Sequence, residues 1–274
     1  MPGLENQDIE IKCLVEAIYQ KYGYDFKEYS WDSFKRRVIS IQKEQKIDTV
    51  SQILHQIIYD KAFFLLLLSK LTVNVTQMFR DPGFYRKLRE NIFPRFESYP
   101  FIKIWLAGCS SGEEAYSIAI ALKEEGLYKK SQIYATDISI PVLEKAKKGI
   151  YPAGMMKEYT NNYREGGGKK SLSDYYTAKY DHVIMAKALR ENITFADHNL
   201  ATDTCFGVMD IIFCRNVFIY FTRPLQSRVL RLFSESLGQG GILCLGSQES
   251  ILFIEGAANC FKELYSKESI YIKQ

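Results

Sequence analysis

The chain has 274 residues, 47% hydrophobic and 25% charged, with a formal net charge of +4. A chain of this length buries about three quarters of the surface it would expose unfolded, so one large domain or two small ones with sizeable cores is expected. The modest, dispersed positive charge argues against nonspecific nucleic-acid binding, which needs a concentrated basic footprint.

The first ~85 residues read as helical. Ile11, Leu14, Val15, Ile18, Tyr19 and Tyr22 share one face, and Gly23 follows as a stop. A second helix puts Trp31, Phe34, Val38 and Ile41 on one stripe, and a third carries Val50, Ile53, Leu54, Ile57 and Ile58 into the apolar run FFLLLL. These predict an all-helical N-terminal domain over residues 1–72, followed by a linker and connecting helix over 73–98. Arg36, Ser40 and Lys43 fall opposite the apolar stripe of the second helix, with Lys46 at the flank of that row. The exposed face is therefore basic, which reads either as a solvated surface or as a patch for an acidic partner.

From Phe101 the texture changes to alternating strands and helices, the mark of a doubly wound parallel sheet over residues 99–274. Strands are expected at 101–107, 132–136, 209–214 and 242–245, with helices at 113–125, 141–148 and 224–237. Gly240-Gly241 reads as a turn, and 261–265 with 269–273 as a closing hairpin. An insertion over about 151–195 contains Gly166-Gly167-Gly168 and the alternating run Tyr180 to Met185, which predicts a small antiparallel subdomain.

Six cysteines lack any C-x-x-C pair or regular spacing and are expected to be reduced, buried thiols. The polar, acidic start MPGLENQDIEIK does not resemble a secretory signal, and the longest apolar run, Ala62 to Leu68, is far shorter than the ~20 residues that span a bilayer. A cytoplasmic chain without membrane insertion is expected. His55, His182 and His198 pair with no other ligand at helical spacing, so no metal site is expected, and His198, in the loop-like DHNL, reads as a solvated loop residue with a functional role as the alternative.

The richest stretch is FIKIWLAGCSSGEEAY, residues 101–116, in which a buried strand breaks into a Gly/Ser loop and an acidic helix start. Gly108 and Gly112 allow backbone to approach a ligand closely. Their spacing is not the dinucleotide fingerprint, and Glu113 and Glu114 would repel a pyrophosphate at the helix N-terminus. They suit a phosphate-free ligand with a cationic centre, such as S-adenosylmethionine; an ordinary capped surface helix is the alternative. Asp137, at the tip of the next strand, stands where such folds bind ribose hydroxyls. The loops after residues 107, 136 and 214 should converge on one crevice. The third, CRNVFIYF, lacks the prolines of base-amine methyltransferases and offers the Tyr220 hydroxyl instead.

CRNVFIYF, SSGEEAYSIA, YATDIS and LTVNVTQMFRD (residues 71–81) together resemble the CheR family of chemotaxis receptor methyltransferases, over nearly the whole chain. The resemblance implies a class I S-adenosylmethionine-dependent methyltransferase with α/β doubly wound sheet, N-terminal helical domain and small antiparallel β insertion. It further implies methylation of glutamates on the cytoplasmic helices of chemoreceptors, with S-adenosylhomocysteine as product, in an enzyme expected to be monomeric. By the same resemblance Asn74, Thr76 and Arg80 would face cofactor and substrate. Glu114 with Glu113 beside it, Asp137, Asn199-Leu200 and Arg215-Asn216 would hold the cofactor, with Gly108 in its loop. Arg80 and Tyr220 would lie nearest the reacting carboxylate, and Arg36, Lys43 and Lys46 would meet an acidic receptor helix. Met78-Phe79 replaces two aromatics found in many members, a nearly volume-conserving change. The glycine cluster gives the insertion an unfamiliar spacing, so dependence on a receptor's tether peptide is not expected. The rival readings are a non-catalytic S-adenosylmethionine-binding signalling module and a methyltransferase acting on another acidic protein, on RNA or on a small molecule.

Overall fold

In the computed structural model, which describes residues 5–71 and 76–274, the chain begins with helices α1 (Asn6–Tyr22), α2 (Trp31–Glu44), α3 (Val50–Tyr59) and α4 (Lys61–Leu71). Gly23 ends α1 in the left-handed conformation, φ 77°, returning its N–H to Tyr19 O. The apolar run FFLLLL lies on a helix of its own because Asp60 breaks the chain from α3, its Oδ1 accepting from the Ala62 and Phe63 N–H groups at 2.8 and 3.2 Å. Ile11, Leu14, Ile18, Val38, Ile53 and Leu67 are fully buried between these helices and give this region a core of its own.

After residue 76, α5 (Pro82–Lys87) runs through a π-helical turn at Leu88–Ile92 towards β1 (Ile102–Ala107). There follow α6 (Glu113–Glu124), β2 (Ser131–Asp137), α7 (Ile140–Lys148), β3 (Ile150–Pro152), α8 (Met156–Glu165), β4 (Tyr176–Lys179) and β5 (His182–Met185). The chain ends with β6 (Ile193–Asp197), β7 (Met209–Cys214), α9 (Arg223–Ser236), β8 (Leu237–Leu245), β9 (Phe261–Tyr265) and β10 (Ile270–Lys273).

Among the described residues the main sheet has seven strands in the order β6-β2-β1-β7-β8-β10-β9, and β3-β5-β4 form a separate antiparallel sheet. β6, β2, β1, β7 and β8 are parallel, while β10 runs antiparallel to both β8 and β9. Strand periodicity divides the core. Ile104, Leu106, Ile211, Phe213, Ile242 and Cys244 face one side, and Trp105, Ile212, Leu243 and Leu245 the other. The sequence order reverses at β1, between β2 and β7, so the crevice beyond the strand ends opens there.

Three expectations change. β6 begins at Ile193, inside the stretch assigned to the insertion, but pairs in parallel with β2 at the edge of the main sheet. Gly240-Gly241 does not precede a strand; it lies within β8, where Leu237 pairs with Met209 before the register shifts to Ile242 opposite Ile211. Gly240 takes φ 75° there, and a Cβ on Gly241 would come within 2.9 Å of Gly238 O, so the glycines accommodate an irregularity in the strand rather than a turn. The cysteines form no disulfide among the described residues; Cys109, Cys214 and Cys244 are buried, Cys205 and Cys260 partly so, and Cys13 is exposed on α1.

The glycine cluster has a packing reason. A Cβ on Gly168 would strike the Tyr163 ring at 2.3 Å. Tyr163 and Tyr175 both give their hydroxyl protons to Glu124 Oε1, and Arg89 from the π-turn pairs with Glu124 and Glu125 at 2.7 and 3.0 Å. This network ties the insertion to α6 and to the connecting helix.

Glu113, the first residue of α6, is 7% exposed and lies near the ring hydroxyls of Tyr151 and Tyr159. Burial lifts its carboxyl from the usual value of about 4.5 to about 7, partly offset by the Ser111 Oγ hydroxyl donating to it at 2.7 Å. Between those pH values the folded state retains a proton that the unfolded chain has released, so stability falls as pH rises across the window. The loss is roughly 3 kcal/mol at ~1.4 kcal/mol per pKa step. Glu113→Gln should match the parent's melting temperature near pH 5 and exceed it at pH 8; parallel curves of melting temperature against pH would refute this account.

Candidate active site

The loop after β1 is shaped by its own backbone. The N–H groups of Gly108 and Cys109 both donate to Thr136 O at 2.8 Å, and Ser110 N–H donates to Asp137 Oδ2 at 2.8 Å. The other carboxylate oxygen of Asp137 accepts from Ser139 N–H at 2.9 Å. Burial pushes the Asp137 carboxyl up, and these N–H donors pull it back. Gly108 has φ 82°, and a Cβ there would come within 2.6 Å of Val217 Cγ2. Only glycine lets the loops after β1 and β7 close together in this way.

Arg215 opens the loop after β7, and its side chain is 3% exposed. Its Nη1 donates to Glu114 Oε1 at 2.8 Å, and its Nη2 to Asp81 Oδ2 at 2.7 Å and to Arg80 O at 3.1 Å. The guanidinium lies 4.0 Å from the Phe84 ring centroid. Burial alone would weaken its charge, but Glu114, with help from Tyr85 and Asp81, more than compensates and leaves its pKa raised. Phe79 and Asp81 both have left-handed backbones, φ 54° and 59°, so Arg80 sits on a strained turn that Arg215 holds.

Asn216 is also left-handed, φ 62°, and its N–H donates to the buried Glu249 Oε2 at 2.7 Å. Gly246 N–H reaches the same oxygen at 2.7 Å, and Ile219 N–H reaches Oε1 at 3.2 Å. Glu249 thus fixes the segment leading to Tyr220. The helical region closes over this segment: Ser30 N–H donates to Tyr220 O at 2.8 Å, Thr222 N–H to Glu28 O at 2.9 Å, and Tyr29 bridges to Phe221. Arg37 of α2 lies 5.3 Å from the Tyr220 ring centroid. Burial raises the Tyr220 pKa against the pull of Arg37 and Arg80, so its hydroxyl remains a donor at neutral pH.

One cleft between the helical region and the strand ends is lined by Thr76, Arg80, Gly108, Glu114, Asp137, Asn199, Leu200, Arg215, Asn216 and Tyr220. Glu113 does not line it: one residue before Glu114 on α6, it points under the insertion, and burial beside Ser111 replaces the expected contact with a cofactor. Asn74 lies outside the described residues. Arg36 and Lys43 line a shallow groove on the outer side of α2 with Asp32 and Ile39, while Lys46 is exposed just past the helix end with φ 54°. His198 is a half-buried loop residue rather than a fully solvated one: it lines the cleft, lies edge-on to Trp105 at 5.1 Å and places Nε2 3.2 Å from Thr204 O.

Sequence reasoning missed Ser33 and Arg37, which α2 turns into the cleft beside Ser30. The signal was present, because residues 30, 33 and 37 follow helical spacing along the boundary between the apolar stripe and the basic row. The cleft has two chemical ends. Glu114 and Asp137 lie at the strand ends, with the partly apolar wall of Ile138, His198 and Leu200; Arg37, Arg80 and Tyr220 lie where α2 meets the loop after β7. Ser33 Oγ and Arg215 Nε, on residues lining the cleft, and His198 Nδ1 of this wall are buried without a hydrogen-bond partner among the described residues. Acceptors for hydroxyl and ammonium groups beside a wall for a flat ring fit an adenosine ligand with a cationic amino-acid tail.

Comparison with known proteins agrees. Residues 74–267 match the model of the CheR methyltransferase, SAM binding domain, and residues 9–72 that of the CheR methyltransferase, all-alpha domain. The Cher3 protein of Pseudomonas putida is 46% identical over 273 residues, 100% of each chain. A chemotaxis protein methyltransferase of Listeria monocytogenes is 31% identical over 92% of this chain and 93% of its own, and one of Borreliella burgdorferi is 29% identical over 88% of each. With both of the family's domains matched in order and the cleft lying between them, the chain belongs to the CheR methyltransferase family.

Proposed function

We propose that the protein transfers a methyl group from S-adenosylmethionine to glutamate carboxylates on the cytoplasmic helices of chemoreceptors, giving glutamate methyl esters and S-adenosylhomocysteine. The observation that carries this reading is the polarity of the cleft, with carboxylates at the strand ends and two arginines with a protonated phenol at the end closed by α2. S-adenosylmethionine, when bound, supplies a methyl group on a cationic sulfur. Glu114 and Asp137 would hold its ammonium and ribose groups, and Asn199, Leu200 and His198 would flank the adenine. Arg80, Arg37 and the Tyr220 hydroxyl would grip the acceptor carboxylate, leaving one oxygen directed at the methyl.

No general base is required, because a glutamate side chain is already ionised at neutral pH. The work of the site is alignment in a water-poor crevice, which orientation effects reward strongly. Arginines at the acceptor end also favour a carboxylate over a neutral nucleophile, which supports an ester product over methylation of an amine or hydroxyl. The helical region would then serve as the substrate-recognition domain, since α2 lends Arg37 to the cleft and presents Arg36 and Lys43 outside it.

Incubation with methyl-labelled S-adenosylmethionine and receptor cytoplasmic fragments should place label in protein that mild alkali releases as methanol; alkali-stable label, or none, would overturn the proposal. Arg80→Ala and Tyr220→Phe should each lower kcat by roughly 10- to 100-fold, the size of one charge-assisted hydrogen bond, while the affinity for S-adenosylhomocysteine stays within a few-fold by calorimetry. Arg215→Met should behave differently. It leaves Glu114 and Asp81 without their shared cation, so melting temperature, product affinity and kcat should all fall together, with a stability loss on the order of 3 kcal/mol by urea unfolding. The KM for receptor fragments should rise with ionic strength while kcat holds, because Arg36 and Lys43 lie at the screened surface.

A further inference from the structure

Beyond β8 the chain reads Ile251-Leu252-Phe253-Ile254, four apolar residues in a row at a turn. The outer two are buried, at 2% and 5% exposure, while Leu252 is 63% and Phe253 80% exposed. The turn is not slack. Ile254 N–H donates to Ile251 O at 2.9 Å, Leu252 N–H to Ser250 Oγ at 3.2 Å, and Ser269 Oγ to Glu249 O at 2.8 Å. The Glu249 side chain, just before the tip, is the anchor of the loop that carries Tyr220. A tip pinned on both sides would ordinarily carry polar residues, since water gives an exposed Leu-Phe pair nothing to gain.

Ile219, next to Tyr220 in sequence, is 44% exposed and lines a shallow groove with Phe253, Ser30, Phe221, Thr222 and Arg223. Ser30 and Phe221 line the active-site cleft as well, so the groove adjoins the cleft across the seam these residues form. Cations outnumber anions around it: Arg223 lies in the groove and Lys35, Arg36 and Lys43 further along α2 from Ser30, against Asp32 on α2 and Glu28, whose Oε2 accepts from Thr222 Oγ1, while the Glu249 carboxylate is buried and taken up by backbone N–H groups.

We propose that this groove docks the apolar flank of the methyl-accepting protein, an acidic amphipathic helix whose target glutamate enters the cleft beside it. The proposal rests on the reading of the cleft as a protein-carboxylate methyltransferase site and names how the acceptor is held. Charge complementarity selects the occupant. A helix whose exposed positions carry glutamates satisfies the arginines and Lys43, and apolar residues three or four positions from the target glutamate fall on the same side, within reach of Ile219 and Phe253. Such a contact also dries the rim of the cleft around the reacting carboxylate, as energetically neutral contacts do around a binding hot spot.

The test uses the full chain and the variant Leu252→Ser/Phe253→Ser, which alters exposed side chains only, alongside a receptor cytoplasmic fragment. Melting temperature and S-adenosylhomocysteine affinity should be unchanged, KM for the fragment should rise at least tenfold with kcat unchanged, and direct binding measured by fluorescence anisotropy should weaken by the same factor. Unchanged KM and unchanged binding would overturn the docking role. If the parent transfers no methyl yet binds the fragment through these residues, the catalytic reading fails while the docking surface stands. If the parent does not bind the fragment, or if sedimentation shows that Leu252 and Phe253 instead join two copies of the chain, the proposal falls.

Discussion

The architecture of the site depends on one buried guanidinium. Arg215 comes from the sheet, yet its hydrogen bonds reach α6 through Glu114 and the linker turn through Asp81 and Arg80 O. Burying a cation is costly unless geometry and partners are nearly ideal, and here two carboxylates, a carbonyl and an aromatic face supply them. The return is specificity more than stability. A strained turn with left-handed residues on both sides of Arg80 is held in one shape, and the same cation decides where Glu114 points into the cleft.

Glu249 repeats the device with opposite charge. Three backbone N–H groups converge on its carboxylate, two of them from the segment that leads to Tyr220. The cleft is therefore framed by one buried cation, bonded to two carboxylates and a loop carbonyl, and one buried anion, bonded to loop N–H groups. Neither is free to follow a ligand, and preorganisation of this kind is what an alignment-driven transfer requires.

Much of this was legible in the sequence for physical reasons. The nearly continuous apolar runs of β1 and β7 and the helical stripes of α1 to α3 are strong signals because a central parallel strand buries both faces and each of these helices buries one. Gly108, Glu114 and Asp137 could be found because close backbone approach and strand-end carboxylates leave few residue choices. What escaped were features set by the third dimension. Glu113 and Glu114 are indistinguishable as sequence, but one residue of helical rotation sends one under the insertion and the other into the cleft. Arg36 and Arg37 present the same ambiguity on α2, where the neighbour of the expected residue reaches Tyr220. β6 was obscured because its strand follows directly on an irregular insertion, and Glu249 because nothing local announces which N–H groups a buried carboxylate will serve.

The joint between the helical region and the loop after β7 has a consequence for how this protein can change over time. Ser30, Tyr29 and Glu28 are bonded through their backbones to Tyr220, Phe221 and Thr222, so the joint does not rest on side chains alone, although Thr222 Oγ1 also donates to Glu28 Oε2 at 2.7 Å and the Tyr29 ring lies edge-on to Phe221 at 5.2 Å. Main-chain seams survive substitution. The outward side of α2, with Arg36, Ile39 and Lys43, touches neither that seam nor the cleft. A lineage can therefore redraw this surface residue by residue while the chemistry behind it stays fixed, so a single scaffold can be readdressed to new acceptors without rebuilding its reaction centre.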